Sequence, residues 1–228
     1  MIFKSTPIKK AIIVFIHPNN ANEDIFTQVH KHINKNWIAD KNITKIVVNT
    51  PLNKNMALTE IHLMIEIYAS EKKLRQTITL LKIHLKTCFK LCAYLVSEKL
   101  PVHYKVNWPL NTPSPGMRHI SMIRKKSSLS KKKFYDYWHN QHTKIALSYT
   151  IPVWSYSQNV ILESLFINAF HYDGIAALHF KHKDDFKNRV FETPLEVAKG
   201  RSDAQKFLEI TEIRSEEMIE ILIKDNLH

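Results

Sequence analysis

The order in which the hydrophobic period changes along the chain constrains the fold more than any other feature. It runs strand, helix, strand, strand, helix, strand, and then repeats. A repeat of this length sets an architecture rather than a single element. In the first half, Ala11–His17 is a short apolar run of strand type. Asn22 is placed to cap a helix in which Phe26, Val29, Ile33 and Trp37 fall on one face. Ile43–Asn49 is the returning strand. Leu58–Tyr68 then alternates Ile61, Leu63, Ile65 and Ile67 with Glu60, His62, Met64 and Glu66, the period of two that a pleated strand requires. A second helix has Leu74, Ile78, Leu81 and Leu85 on its buried stripe, and Leu91–Val96 closes the set.

From Trp108 to Gly116 the sequence reads WPLNTPSPG, in which three prolines remove backbone donors and forbid helix. This marks a linker between a unit over 1–112 and a second over 113–228. The second opens with a strand at Arg118–Ile123. Ser130 then caps a helix with Phe134, Trp138, His142 and Ala146 at four-residue intervals, so His142 points where the apolar stripe points. Strands over Val153–Leu162, Tyr172–Phe180 and Met218–Ile223 follow. Short helices are expected over Asp184–Phe191 and Leu195–Leu208, broken near Pro194 and Gly200. Each half is thus a β-α-β-β-α-β unit of the ferredoxin-like kind, an antiparallel sheet with both helices on one face. The bare face of each sheet needs a cover, and two units packed sheet to sheet supply it to each other, with a space between them for a small ligand. The fold class is α+β, a tandem ferredoxin-like pair.

With 228 residues and a hydrophobic fraction of 44 %, the chain can fill two small cores. Its apolar runs are far shorter than the roughly 20 residues that span a bilayer. The first of them stops at His17 and Pro18 without a small-residue cleavage site, so no membrane segment or signal peptide is expected. Two cysteines, Cys88 and Cys92, without zinc-finger spacing fit buried thiols in a reducing cytoplasm. The net charge of +12 is nearly all lysine. Only Arg75, Arg118, Arg124, Arg189, Arg201 and Arg214 carry the planar fork that grips phosphate, and the third strands lack the aromatic pattern that stacks on bases. Nucleic acid is therefore not the expected partner. The histidines are scattered, and the glycines at 116, 174 and 200 cannot form a phosphate loop. Neither a metal nor a cofactor is expected.

Several elements of the second half resemble the EthD family. They are Met117–Lys125; Leu129-Ser130 followed by Phe134, Tyr137-Trp138 and His142; Tyr156-x-Gln158-Asn159; and Tyr172-Asp173-Gly174-Ile175-Ala176. Thr143-Lys144 departs from the Gly-Pro or similar pair that often follows the histidine in that family. The resemblance implies a dimeric α+β barrel whose cleft between sheet and helices takes small, often aromatic or polyketide-like molecules. Relatives include lyases, isomerases and oxygenases, and the fold does not choose among them. Two units in one chain imply a barrel within the chain, as a monomeric pseudo-dimer or a homodimer. Aligned on the helix caps, the first half has His30 and Asn34 where the second has Trp138 and His142, so one pocket is expected, in the second half.

Within that pocket, His142 is the expected general acid or base, because imidazole changes protonation near neutral pH. A packed histidine is the alternative. Tyr156 can donate to a developing enolate oxygen, and Gln158 or Asn159 can orient a carbonyl, but only one face of their strand can point inward. Trp138 is a packing anchor or an aromatic wall, and His119 can line the sheet face with Ser121 and Ile123. Asp173 reads as turn chemistry, and Lys131–Lys133 as solvated surface. The expectation is a cofactor-independent enzyme of lyase, isomerase or oxygenase type acting on a small organic substrate. A non-catalytic small-molecule-binding or structural protein is the alternative, with RNA binding behind it.

Overall fold

A computed structural model describes residues 7–16, 25–53, 61–84, 90–149, 153–166, 169–186 and 194–227. The first half contains β1 (Ile8–Ile16), α1 (Ile25–Asn36), β2 (Ile43–Pro51), β3 (Ile61–Ser70), α2 (Glu71–His84) and β4 (Lys90–Val102). The second contains β5 (Met117–Ile123), α3 (Lys131–Asp136), a π-helical segment (Tyr137–His142), α4 (Thr143–Tyr149), β6 (Val153–Ser164), β7 (Gly174–Phe180), α5 (Pro194–Ala204), a 3-10 turn (Ile210–Glu212) and β8 (Arg214–Asp225). The eight strands close into one barrel in the order β1-β3-β2-β8-β5-β7-β6-β4, with antiparallel neighbours throughout.

Two seams join the halves, β2 with β8 and β4 with β6. Both seams extend strands beyond their apolar runs. Ser97, Glu98 and Lys99 pair with Val160, Asn159 and Gln158, so a polar stretch with no strand signal of its own is held by ladder hydrogen bonds. β8 likewise begins at Arg214, before the apolar residues that announce it.

Alternation along the strands sorts side chains into two layers. Ala11, Ile13 and Phe15 of β1 face outward onto the stripes of α1 and α2, meeting Ile33, Trp37, Leu74 and Ile78. Ile12, Val14 and Ile16 face inward, where they pack with Met64, Tyr94, Ile120, Met122, Ile175 and Met218 from both halves. The inside of the barrel is consequently a packed core along this stretch, which differs from the ligand space expected of two facing sheets. Large side chains at the inward positions fill it.

Toward one end the interior turns ionic. Arg118 Nη1 lies 2.7 Å from Glu66 Oε1, 2.8 Å from Glu220 Oε2 and 2.8 Å from Asn49 Oδ1. Lys10 Nζ reaches Glu66 at 2.7 Å and Glu98 at 2.5 Å. Burial opposes charge on Glu66, yet Arg118 and Lys10 hold its carboxyl far below the ordinary range. Tyr104 closes this end by donating to Glu220.

The expected linker is docked rather than free. Asn111 N donates to Leu222 O at 2.9 Å, Ser114 N donates to Glu220 O at 2.8 Å, and Pro113 bridges Ile221. Gly116, at φ 79°, ends this strap where an added Cβ would lie 1.8 Å from the Phe180 carbonyl oxygen. α5 runs through Gly200, where a break was expected. Glycine in a helix interior costs only about 1 kcal/mol, which packing can offset. Asn22, Leu85, Cys88, Pro152 and most of the helix expected at 184–191 lie outside the described residues, as does the side chain of Phe26. Among the described residues no helix is long and apolar enough to cross a membrane.

Removing the guanidinium would leave two buried carboxylates with less compensation. Arg118→Ala is expected to cost about 3–5 kcal/mol in urea unfolding. A variant that unfolds with the wild-type midpoint would contradict this.

Candidate functional site

The site begins with a helix cap. Ser130 Oγ accepts from Lys133 N at 3.2 Å and starts α3, whose Phe134 buries against the outer face of the second-half strands. From Tyr137 to His142 the helix widens, and Thr143 N–H donates to the carbonyl of Trp138, five residues back. Thr143 Oγ1 donates to the same carbonyl at 2.8 Å, and Gln158 Nε2 lies 2.9 Å from Thr143 Oγ1, so side chains support the wide turn. A π turn stacks residues five apart. It therefore aligns Tyr137 with His142, two positions that an α-helix would point in different directions.

Both reach one carboxylate. Asp203, near the end of α5, takes a hydrogen bond from Tyr137 Oη at Oδ1 (2.6 Å) and contacts His142 Nδ1 through Oδ2 (2.7 Å). Its side chain is only 4 % exposed, whereas that of His142 is 20 % exposed. Burial opposes ionisation of Asp203, but the hydrogen bonds from Tyr137 and His142 hold its carboxyl below the usual range. Burial likewise lowers His142 against the pull of Asp203. The imidazole is then neutral near pH 7. Because a carboxylate can only accept, Nδ1 carries the proton and Nε2 the lone pair. Burial pushes Tyr137 up to about 12, so it remains a donor. Phe207 packs against the His142 ring at 4.8 Å and the Tyr137 ring at 5.2 Å. A cavity of about 360 Å³ opens beside Asp203, bounded by Ile145, Ala198, Lys199, Ser202 and Lys206.

The other candidates fall into three places. Tyr156 and Gln158 lie on the helix-facing side of the sheet, where they meet Trp138 of the helix whose His142 forms a dyad with Asp203. Trp138 Nε1 donates to Tyr156 Oη at 3.1 Å, and Gln158 Nε2 lies 3.0 Å from the same oxygen. Tyr156 is 2 % exposed, and burial pushes its phenol up to about 12. Asn159 is on the opposite, barrel-interior face, where Nδ2 donates to Ile175 O at 3.1 Å. His119 stacks on Phe186 with ring centres 4.1 Å apart and lies 3.2 Å from Ser121 Oγ, and burial lowers it to about 4. Asp173 accepts from Lys125 N at 3.0 Å and fixes the turn before β7. An added Cβ on Gly174 would come within 2.5 Å of the Trp138 ring, so the Asp-Gly pair serves packing beneath the indole.

Asp203, Phe207 and the role of Tyr137 have no counterpart in the sequence reading. The five-residue spacing is invisible on an α-helical wheel, and Asp203 sits among Lys199, Arg201 and Lys206 in a segment that reads as surface helix. Among the described residues no three His, Cys, Asp or Glu side chains are grouped to hold a metal ion.

Residues 126–211, which include His142, Tyr156, Asp173 and Asp203, match the EthD domain. Solved structures similar over nearly the whole chain include the following three. An anthrone oxidase-like protein aligns over 97 % of this chain and 98 % of its own at 7 % identity, with a TM-score of 0.67. A candidate monooxygenase from Lactobacillus acidophilus aligns over 96 % of each chain at 9 % identity, with a TM-score of 0.52. A candidate chlorite dismutase aligns over 96 % of each chain at 10 % identity, with a TM-score of 0.53. At these identities the likeness is one of fold. No curated protein matches the sequence.

Two stability predictions follow from this geometry. Gly174→Ala is expected to cost about 1–3 kcal/mol by pressing on Trp138, measured by urea unfolding. For His119, the folded value of about 4 lies below the ordinary 6.5 or so of an unfolded chain. As pH falls through that window the unfolded chain takes up a proton that the folded one does not, so stability is lost toward pH 4. His119→Phe keeps the ring stack and removes the titration. Its melting temperature should fall less between pH 7 and pH 4 than that of the wild type, and parallel curves would contradict the assignment.

Proposed function

We propose that this EthD-like chain is an enzyme that transfers a proton to or from a carbon of a small aromatic or polyketide-like molecule, with His142 as general acid/base. The observation that carries the reading is the 2.7 Å contact between His142 Nδ1 and a buried carboxylate that Tyr137 also holds. Asp203 fixes the tautomer and stabilises the imidazolium formed when Nε2 takes a proton, so Asp203 and Tyr137 are positioning residues. Phe207 supplies an aromatic surface beside the base. Lyase, isomerase and cofactor-independent oxygenase chemistry can all begin with proton removal from an acidic carbon. The similarity in fold to an anthrone oxidase-like protein and a candidate monooxygenase supports the last of these.

Tyr156, Trp138 and Gln158 act in this reading as the frame that holds the π turn. Asn159, on the interior face, is not assigned to the pocket. The two halves are read as tandem ferredoxin-like units over 1–112 and 113–228. Since the described strands all pair within a closed barrel, a monomer is the proposed state.

Anthrone is a suitable probe because its methylene protons are acidic and their exchange with deuterated solvent requires no oxidant. The wild type should catalyse exchange, and His142→Ala should lower the rate by about 10²–10⁴. Burial lowers His142, so the rate should rise with pH to a plateau with its inflection below about 6.5. Asp203→Asn removes a group that raises the imidazole, so its inflection should move to lower pH as the plateau drops. Exchange that is indifferent to His142 would sink the proposal.

A further inference from the structure

Away from the dyad, at the end of the barrel where β5 leaves and β8 enters, a second cavity of about 400 Å³ is lined by Arg124, Arg214, His171, Phe170, Tyr172 and the 3-10 turn. The register of β5 on β8 places Arg214 opposite Met122, so the two arginines stand at adjoining strand ends. The aromatic side is anchored. Tyr94 Oη donates to Phe170 O at 2.8 Å, and Tyr172 is buried in the barrel core. Arg214 lies over the Phe170 ring at 4.8 Å, and Lys90 Nζ over the same ring at 3.5 Å. Among the described lining residues Glu212 carries a carboxylate, and it pairs with Arg124.

We propose that this cavity binds a planar aromatic carboxylate, with the carboxylate between Arg124 and Arg214 and the ring against Phe170 and Tyr172. Three observations point to that class. Most of the chain's positive charge is lysine, yet two of its six arginines line this cavity, and guanidinium is the cation whose fork matches a planar carboxylate. The volume falls within the usual range of about 300–1,000 Å³ for organic ligands and exceeds what an inorganic anion needs. The Arg124–Glu212 pair is largely exposed, at 41 % and 47 %, so an incoming carboxylate can take the place of Glu212 with little loss. The site is separate from the proton-transfer reading and does not rest on it.

Calorimetric titration with 2-naphthoate tests this, with 2-naphthalenemethanol and inorganic phosphate as comparisons. Naphthoate should bind the wild type saturably, and both comparisons at least about tenfold more weakly. Arg124→Gln and Arg214→Gln should each weaken naphthoate by about tenfold or more, since each removes one charge-assisted contact. Glu212→Gln frees Arg124 and should bind at least as tightly as the wild type, which separates the site from general loss of folding. His142→Ala should bind unchanged. The proposal is overturned by equal binding of the neutral alcohol or of phosphate, by naphthoate binding that ignores both arginine substitutions, or by its loss in His142→Ala.

Discussion

One guanidinium ties the two halves of the barrel together from inside. Arg118 comes from β5 of the second half, and its Nη1 contacts Glu66 and Asn49 of the first half as well as Glu220 of its own. Buried ion pairs gain little net stability over apolar packing, but they penalise arrangements that leave a charge unpaired. A shift of β5 against β3 or β2 would strand Glu66 and Lys10 in the barrel interior. The network thereby favours one register at the β2–β8 seam, where Asn49 and Glu220 both meet Arg118.

The dyad depends on this frame at one remove. β6 and β7 present Tyr156, Gln158 and Gly174 to the outer layer, where Trp138 settles against the space above Gly174 and its carbonyl accepts from Thr143. That carbonyl is the anchor of the π turn. The turn brings Tyr137 and His142 onto the same side, and α5 supplies Asp203 from 61 residues further along the chain. Because burial opposes ionisation of both His142 and Asp203, their contact carries weight only in this one geometry.

The sequence disclosed what depends on local periodicity. The alternation in β3 and the stripes of α1 and α2 are written in residues whose burial is apolar, and Ser130 does cap α3. What was not legible depends on partners remote in sequence. Ser97–Lys99 are strand because β6 lies beside them, and the Trp108–Gly116 segment is ordered because β8 offers carbonyls to Asn111 and Ser114. His142 was visible from its place on an apolar stripe. Asp203 was not, since nothing local separates a buried carboxylate from a solvated one. The choice between Gln158 and Asn159 could not be made because alternation fixes which residues share a face without saying which face is inside.

The central claim is that His142 is a neutral imidazole with its Nδ1 proton held by Asp203 and its Nε2 lone pair available to a substrate. Nitrogen-15 NMR of the histidine side chains at pH 7, with His142→Gln used to assign the signals, tests it directly. The account predicts a protonated Nδ1 and an unprotonated Nε2 for His142. An imidazolium, or a neutral ring with its proton on Nε2, would contradict it.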